Sequence, residues 1–435
     1  MLTKAEYDNY VNILKRELVP AMGCTEPIAI AFAAAKARAV LDEDVKRAHV
    51  HCSGNIIKNV KGVTVPNSGG LKGIEAACLL GIIGGNADNE LEVVSGATDE
   101  ARELVAKKVR EGVCDVSLVE DVPNLYIRVC VEGEHHSAEV ELTNAHTNIT
   151  RIVRDRETVY EANAPLVQED GTTMEAADYG NVTLRGLLAF ADEVNIDDVR
   201  EVLDRQIACN SAISQEGLDN PWGARVGKTI LETWGGDVKS TAVARAAAGS
   251  DARMSGCPLP VVINSGSGNQ GITVTLPVLE YASAWHISDE KRYRALIVAN
   301  LVSIHIKHYI GALSAFCGAV SAACGAGAAI TYMSGNDYAQ IARTITNTIG
   351  NVGGIVCDGA KPSCAAKIAA SVHAALLAHY MSLSERAFSA GEGIVEADVE
   401  ETIRNMGYIG KVGMKDTDRE ILNIMTNKAD VDGCL

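Results

Sequence analysis

At 435 residues, with 39 basic against 56 acidic side chains and a formal net charge of −17, the chain offers no surplus of positive charge to a polyanion, so nucleic acid is excluded as an expected partner. With 47% apolar and 22% charged residues it has the balance of a soluble protein with a large core. Its twelve cysteines follow an opening, Met1-Leu2-Thr3-Lys4-Ala5-Glu6-Tyr7, that runs straight into an amphipathic pattern without a signal segment; reduced thiols and a cytoplasmic location are expected rather than a disulfide framework.

Apolar spacing predicts a first helix over residues 5–19. Thr25-Glu26-Pro27 opens a second that runs through an alanine-rich stretch to Leu41, with Pro27 in the first turn, where a missing N–H costs little. Residues 45–65 and 114–160 read differently: they are rich in valine, isoleucine and threonine, alternate in part, and are broken by turn signals such as Glu132-Gly133-Glu134. Helical patterns lie between them at 71–83 and 99–110. The fold class expected is α+β, with residues 45–162 forming a smaller α+β lobe around a mostly antiparallel sheet and residues 1–44 supplying N-terminal helices that pack on the catalytic lobe. That catalytic lobe, 163–435, is expected to be mainly α-helical, with helices over 175–194, 197–213, 225–248, 292–310, 339–349, 365–383 and 397–406. The acidic run 391–401 and the tail 428–435 read as solvated surface.

One stretch, 309–336, holds no charged residue and is long enough to cross a bilayer. Its middle, 311–327, is built of small residues that carry little apolar area but let backbones approach closely, so a buried helix at the centre of a soluble domain is expected, and no membrane.

Chemistry concentrates in three cysteines of the second half: Cys317, Cys357 forty positions on, and Cys364 seven further. Three thiolates can hold three irons of a cubane cluster and leave the fourth open to substrate. Cys324 is a poor partner for Cys317, because seven residues on one helix share a face but stand roughly 10 Å apart at about 1.5 Å per residue. Cys357 and Cys364 are also seven apart, yet Asp358-Gly359-Ala360-Lys361-Pro362-Ser363 between them is loop-forming, so the chain can curl and aim both sulfurs at one cluster, with Cys364 in the first turn of the next helix. Zinc is disfavoured by the lack of any C-x-x-C pair and by the placing of His373 and His379 on a helix away from the thiols. Each thiol taken singly is equally a small buried hydrophobe.

Cys24 stands just ahead of a helix, where unpaired N–H groups and the dipole are expected to lower its pKa and make a thiolate base or nucleophile, unless it only fills space at the cap. Asn264-Ser265-Gly266-Ser267-Gly268-Asn269-Gln270-Gly271 contains a G-x-G-x-x-G pattern after Pro260-Val261-Val262-Ile263. Ile272-Thr273-Val274-Thr275-Leu276-Pro277 reads as a poor helix opening, however, and no second parallel strand follows, so a dinucleotide site is not expected. A nest of N–H groups and amides for a small carboxylate is the alternative use of this segment. Pro66-Asn67-Ser68-Gly69-Gly70 is a second such anchor or an ordinary turn, and His146 is a substrate-orienting or proton-shuttling group or a plain turn residue.

Gly23-Cys24-Thr25-Glu26-Pro27, the 265–271 run, Cys317-Gly318-Ala319, and Cys357 through Cys364, in that order and across nearly the whole chain, resemble the L-cysteine desulfidase family, which is related to the iron-sulfur L-serine dehydratases. The resemblance implies a [4Fe-4S] cluster on Cys317, Cys357 and Cys364, Cys24 as proton acceptor, and pyridoxal-independent conversion of L-cysteine to pyruvate, ammonia and hydrogen sulfide. Asn67, Ser68, His146, Ser265, Ser267, Asn269 and Gln270 are the polar groups expected to hold this small amino-acid substrate. L-Serine dehydration is the close alternative, although the seven-residue step from Cys357 to Cys364 favours the desulfidase side; a non-catalytic, cluster-carrying ligand or redox sensor is the other. A homodimer is expected.

Overall fold

The computed structural model describes residues 2–162, 177–311 and 313–429. Helix α1 (Lys4–Glu17) opens on a capping box, in which Thr3 accepts from the Glu6 amide while Glu6 reaches back to the Thr3 N–H. Strand β1 (Pro20–Met22) and left-handed Gly23 lead into α2 (Thr25–Leu41). Then come β2 (Arg47–Cys52), α3 (Gly54–Val60), α4 (Ile74–Gly84) and α5 (Asp99–Arg110), followed by β3 (Cys114–Leu118), β4 (Tyr126–Glu132), β5 (Ser137–Thr143), β6 (Ile149–Arg154) and β7 (Glu157–Glu161). These strands form a sheet in the order β3-β2-β4-β5-β6-β7, with β2 and β3 parallel and every other pairing antiparallel. Alternate residues point inward: Val50 and Cys52 of β2, Val129 and Val131 of β4, Val140 and Leu142 of β5 are all fully buried.

Two expectations change in this lobe. Only Arg47–Cys52 of the 45–65 run is strand, because Ser53 accepts from the Ile56 amide and starts helix α3 instead. The two N-terminal helices also part company. α1 joins the helical core through Tyr10, Ile13 and Leu14, whereas α2 lies in the α+β core, enclosed by α4 and the sheet. From Ile28 to Ala35 this helix is apolar on every side and has to be surrounded, and the inner face of the sheet supplies that enclosure.

The second lobe is helical: α6 (Leu184–Glu193), α7 (Arg200–Asp219), α8 (Val226–Trp234) and α9 (Val238–Met254), strand β8 (Pro260–Val262), then α10 (Gly268–Ala284), α11 (Asp289–Ile310), α12 (Gly318–Met333), α13 (Tyr338–Val352), α14 (Cys364–Leu383), α15 (Val399–Tyr408) and α16 (Lys415–Met425). The protein is thus α+β and mainly helical, as its patterning predicts. The helix expected over 175–194 is α6; residues 175 and 176 lie outside the described residues. The helix expected over 225–248 is two, parted at Gly235-Gly236, after which Asp237 caps α9 by accepting from the Ser240 amide at 2.8 Å. Helix α10 overturns the reading of 272–277 as a poor helix opening. Its Thr273 and Thr275 hydroxyls bond back to Asn269 O (2.7 Å) and Gly271 O (2.6 Å), and burial holds a β-branched run in a conformation its propensity disfavours.

The uncharged stretch 309–336 is divided between the end of α11 and the buried α12, and among the described residues no helix is long and apolar enough to cross a membrane. In the acidic run, Glu400 is not free surface: its carboxylate accepts from the Leu184 amide and bonds His305 Nε2, both at 2.7 Å. Of the tail 428–435, residues 430–435 lie outside the described residues.

Candidate active site between the two lobes

Strands β1 and β8 pair antiparallel, Ala21 opposite Val261, and each feeds a helix: β1 leads to α2 and β8 to α10. The N-termini of those helices therefore meet, and the Thr25 hydroxyl donates to Gly266 O at 2.9 Å. Glycine is required on both sides of the contact. Gly23 has φ +51° and a Cβ there would fall 2.0 Å from Pro66 Cγ; Gly266 has φ +75° and its Cβ would come 3.2 Å from His146 Cε1.

Cys24 is 2% exposed and its Sγ donates to Glu26 Oε2 at 3.0 Å. The Thr25 hydroxyl reaches the same oxygen at 3.2 Å, and Asn59 Nδ2 donates to Oε1 at 2.9 Å. Burial first, then the Glu26 charge, push the Cys24 thiol well above its ordinary pKa. The expectation of a thiolate is reversed, because a neighbouring carboxylate in a dry site outweighs a helix terminus. Burial opposes the charge on Glu26, yet His146, the thiol hydrogen bond and Arg253 hold its carboxyl below the usual range. Burial lowers the pKa of His146 against the pull of Glu26, and its Nε2 is shielded with no hydrogen-bond partner.

The first turn of α10 extends this group toward the other thiols. Ser267 is its N-cap, accepting from the Gln270 amide at 3.5 Å, and the side-chain oxygens of Asn269 and Gln270 are buried without partners. Gln270 lies on Gly318, where a Cβ would sit 2.7 Å from its Cδ, and Gly318 follows Cys317, the N-cap of α12.

Phe316 and Val356 form an antiparallel bridge, with the Cys317 amide donating to Ile355 O (3.0 Å) and the Cys357 amide to Ala315 O (2.6 Å). Cys364 is the first residue of α14, as expected, and its Sγ points back at Gly359 O, 3.8 Å away. The three thiols sense one another: burial and then Cys357, with Cys364 behind it, push Cys317 up to about 12, and burial and Cys357 raise Cys364. A cationic rim surrounds them. Lys58 Nζ lies 3.4 Å from Cys357 O and is ion-paired with Asp418, which also accepts from the Ala315 amide at 2.9 Å. Lys367 donates to Val356 O at 2.7 Å and pairs with Asp358. Lys307 is 6% exposed, and burial brings its ammonium down to about 8 although Cys357 and Cys317 pull it up. Gly359, φ +96°, rests on Lys58 O, where a Cβ would come within 2.4 Å; the thiol loop is thereby pinned one residue from Asn59, the partner of Glu26.

Soft sulfur donors, cationic neighbours and the N-termini of α12 and α14 suit an anionic iron-sulfur group, whose binding would release the thiol protons. Among the described residues no three donors close on a single metal ion. A cluster instead meets one thiolate at each of several irons, and thiols that sense one another without converging fit that need.

Cys324 is fully buried in α12, as a core residue. His379 is tied to Thr331 at 2.9 Å and His373 packs on Trp234, so neither histidine joins the thiols. Asn67 and Ser68 lie behind Pro66 with their side chains engaged elsewhere: Asn67 on Val94 O (2.8 Å) and Arg102, Ser68 on Leu71 O (3.2 Å). The Ser265 hydroxyl donates to Asn264 Oδ1 at 3.1 Å. Sequence reading passed over Glu26, Asn59, Arg253, Lys58 and Lys307. Glu26 carried a usable signal, since it is the one acidic side chain of an alanine-rich helix whose first three turns are otherwise uncharged.

The serine dehydratase alpha chain family matches residues 88–423. The chain belongs to that family. Its members are iron-sulfur enzymes of the dehydratase-type lyase class, which agrees with three thiols set near a buried Cys24–Glu26–His146 group. Similar full-length relatives include UPF0597 proteins of Desulfitobacterium hafniense (strain Y51), 49% identical with 97% of each chain covered, and of Lachnoclostridium phytofermentans, 49% identical over 97% of this chain and 100% of the relative. A UPF0597 protein of Finegoldia magna is 47% identical over the same shares.

Proposed function

We propose that this family member is a pyridoxal-independent β-elimination lyase that converts L-cysteine to pyruvate, ammonia and hydrogen sulfide, with a [4Fe-4S] cluster held by Cys317, Cys357 and Cys364. The observation that carries the reading is one junction, where α10 links the Cys24–Glu26–His146 group to Cys317 and the α3–Gly359 contact links it to the loop between Cys357 and Cys364. Bound there, the cluster would supply a Lewis acid for the departing sulfur.

The chain's own residues carry the proton. The Cys24 thiol already donates to an ionised Glu26, so its proton can pass to Oε2 as the sulfur takes the α-hydrogen, and the buried pair needs no free thiolate at rest. His146, also beside Glu26 and with its pKa lowered by burial, is a second acceptor for that proton when its ring is neutral. Asn269 and Gln270 present unpartnered oxygens to the substrate ammonium, and enclosure keeps water from the reacting carbon. The aminoacrylate released then hydrolyses unaided.

Cysteine is preferred to serine because a soft iron favours thiolate over hydroxyl, and the short step from Cys357 to Cys364 supports the same side. L-Serine dehydration is the second reading, favoured by the description of the matching family. Anaerobic assay of sulfide and pyruvate from L-cysteine, beside pyruvate from L-serine, decides between them: a higher kcat/KM for L-cysteine is expected, and the reverse order makes the protein a serine dehydratase. A cluster that forms without turnover of either amino acid would leave a sensor. We place the enzyme in the cytoplasm, acting as a homodimer on a small amino acid.

A further inference from the structure

Arg253, next to last in α9, is 3% exposed. A buried guanidinium normally has a carboxylate across from it, because an unpaired charge in the interior is expensive. Arg253 has none: among the described residues it forms no ion pair, its Nε is buried without a partner, and its one hydrogen bond is long, Nη1 to Met254 Sδ at 3.9 Å. The anion that feels its charge, Glu26, has both carboxylate oxygens taken by Cys24, Thr25 and Asn59.

The surroundings are shaped for this side chain. The guanidinium lies on Gly268, the first residue of α10, where a Cβ would fall 2.3 Å from Nε and 2.8 Å from Cζ. It therefore shares the mouth of α10 with Asn269 and Gln270, whose buried side-chain oxygens also have no partner. Asn59 adds a third buried oxygen, Oδ1, and its orientation is fixed because Nδ2 donates to Glu26. One unpaired forked cation beside two unpaired acceptors of α10, with a third on Asn59 across Glu26, is the complement of a zwitterion with one carboxylate and three ammonium hydrogens.

We propose that Arg253 binds the substrate's α-carboxylate, and that its unpaired charge restricts the site to free α-amino acids. The proposal rests on the lyase reading for its substrate class. It assigns to one buried charge an anchoring role that the serines and amides were expected to share. Anchored at α10, the amino acid has its α-carbon within reach of Cys24, which feels the Arg253 charge.

The test uses anaerobically reconstituted enzyme and compares L-cysteine with L-cysteine methyl ester, whose carboxylate is blocked. The unaltered enzyme is expected to favour the free acid by roughly 30-fold or more in kcat/KM, the scale of an unpaired buried charge. Arg253→Gln should erase that preference, chiefly through KM for L-cysteine, while Arg253→Lys, which keeps the charge but not the fork, should retain part of it. Parallel losses on acid and ester, with the ratio unchanged in both variants, would overturn the proposal and leave Arg253 a packing residue. Calorimetric binding of L-alanine, which has no leaving group, separates this from the reaction itself. If neither L-cysteine nor L-serine is turned over, the lyase reading fails, but loss of L-alanine binding in folded Arg253→Gln or Arg253→Lys still upholds the anchor. Unaltered L-alanine affinity in both variants refutes it.

Discussion

Cys24 sits where a helix terminus should favour thiolate, and burial with Glu26 at 3.0 Å reverses that preference. In the proposed reaction the thiol is consequently a proton carrier coupled to a carboxylate. Cys24→Ser should assemble a normal iron content and bind substrate, yet lose turnover by at least roughly 10²-fold, the low end of what a positioned proton-transfer group contributes. Iron analysis beside turnover checks this: loss of iron would make Cys24 a ligand, and full activity would move the proton to His146. Asp251 gives a pH prediction at the same scale. It is fully buried, its Oδ2 accepts from the Gly227 amide at 3.0 Å, and burial pushes its carboxyl up to about 6. A folded-state pKa above the unfolded one means that the native state takes up the proton first, so this group stabilises the fold at low pH and the contribution is lost as pH rises through about 6. Asp251→Asn should remove that slope, and the Tm difference between the two proteins should change between pH 4 and 6 and stay level above about 7.

At the scale of elements, α12 decides which cysteines are exposed to chemistry. Cys317 caps it and its amide donates to Ile355 O beside the Phe316–Val356 bridge, whereas Cys324, two turns inside, is walled in by the helical core. Alanine at Cys317, Cys357 or Cys364 should abolish both the brown colour and the activity, and Cys324→Ala should keep both; a ligand variant that retains its iron would break the assignment. The same helix runs so close to α11 that a Cβ on Gly325 would lie 2.2 Å from Ala299 O. Backbone cannot yield as a side chain does, so Gly325→Ala should lower stability by about 1–3 kcal/mol, whereas Gly96→Ala, with nothing within 4 Å, should stay within about 0.5 kcal/mol. Thermal unfolding of both variants measures the contrast.

Over the whole molecule, two separate cores meet along the β1–β8 pairing, and the Cys24–Glu26–His146 group lies beside that seam. The thiols come from the helical lobe, but their loop rests on α3 of the other, through Gly359 on Lys58 O and Lys58 paired with Asp418. A group bound by the thiols would therefore clamp both lobes. Reconstitution should load about four irons per chain and raise the Tm of the entire protein, since a ligand of the native state alone stabilises by mass action. Separate melting of the two lobes, with only one responding to iron, would show that the seam does not couple them.

What could be read from the chain alone is what short-range chemistry fixes. The bounds of α2 and α5, the buried small-residue α12, the antiparallel bias of the sheet and the curl between Cys357 and Cys364 all follow from caps, periodicity and a loop of six residues. Helix α10 was hidden because its stability comes from enclosure, which a β-branched run with an internal proline does not announce. The meeting of Cys317 with Cys357 depends on a bridge between segments forty residues apart, and the state of Cys24 depends on its burial, on Glu26 two residues along the same helix, and on Arg253 from α9, while His146 from the turn between β5 and β6 acts on Glu26. Burial, which leads the shift of Cys24, and the approach of His146 and Arg253 to Glu26 act across the fold, so the protonation of the site and the unpaired guanidinium beside it were decided only by the tertiary structure.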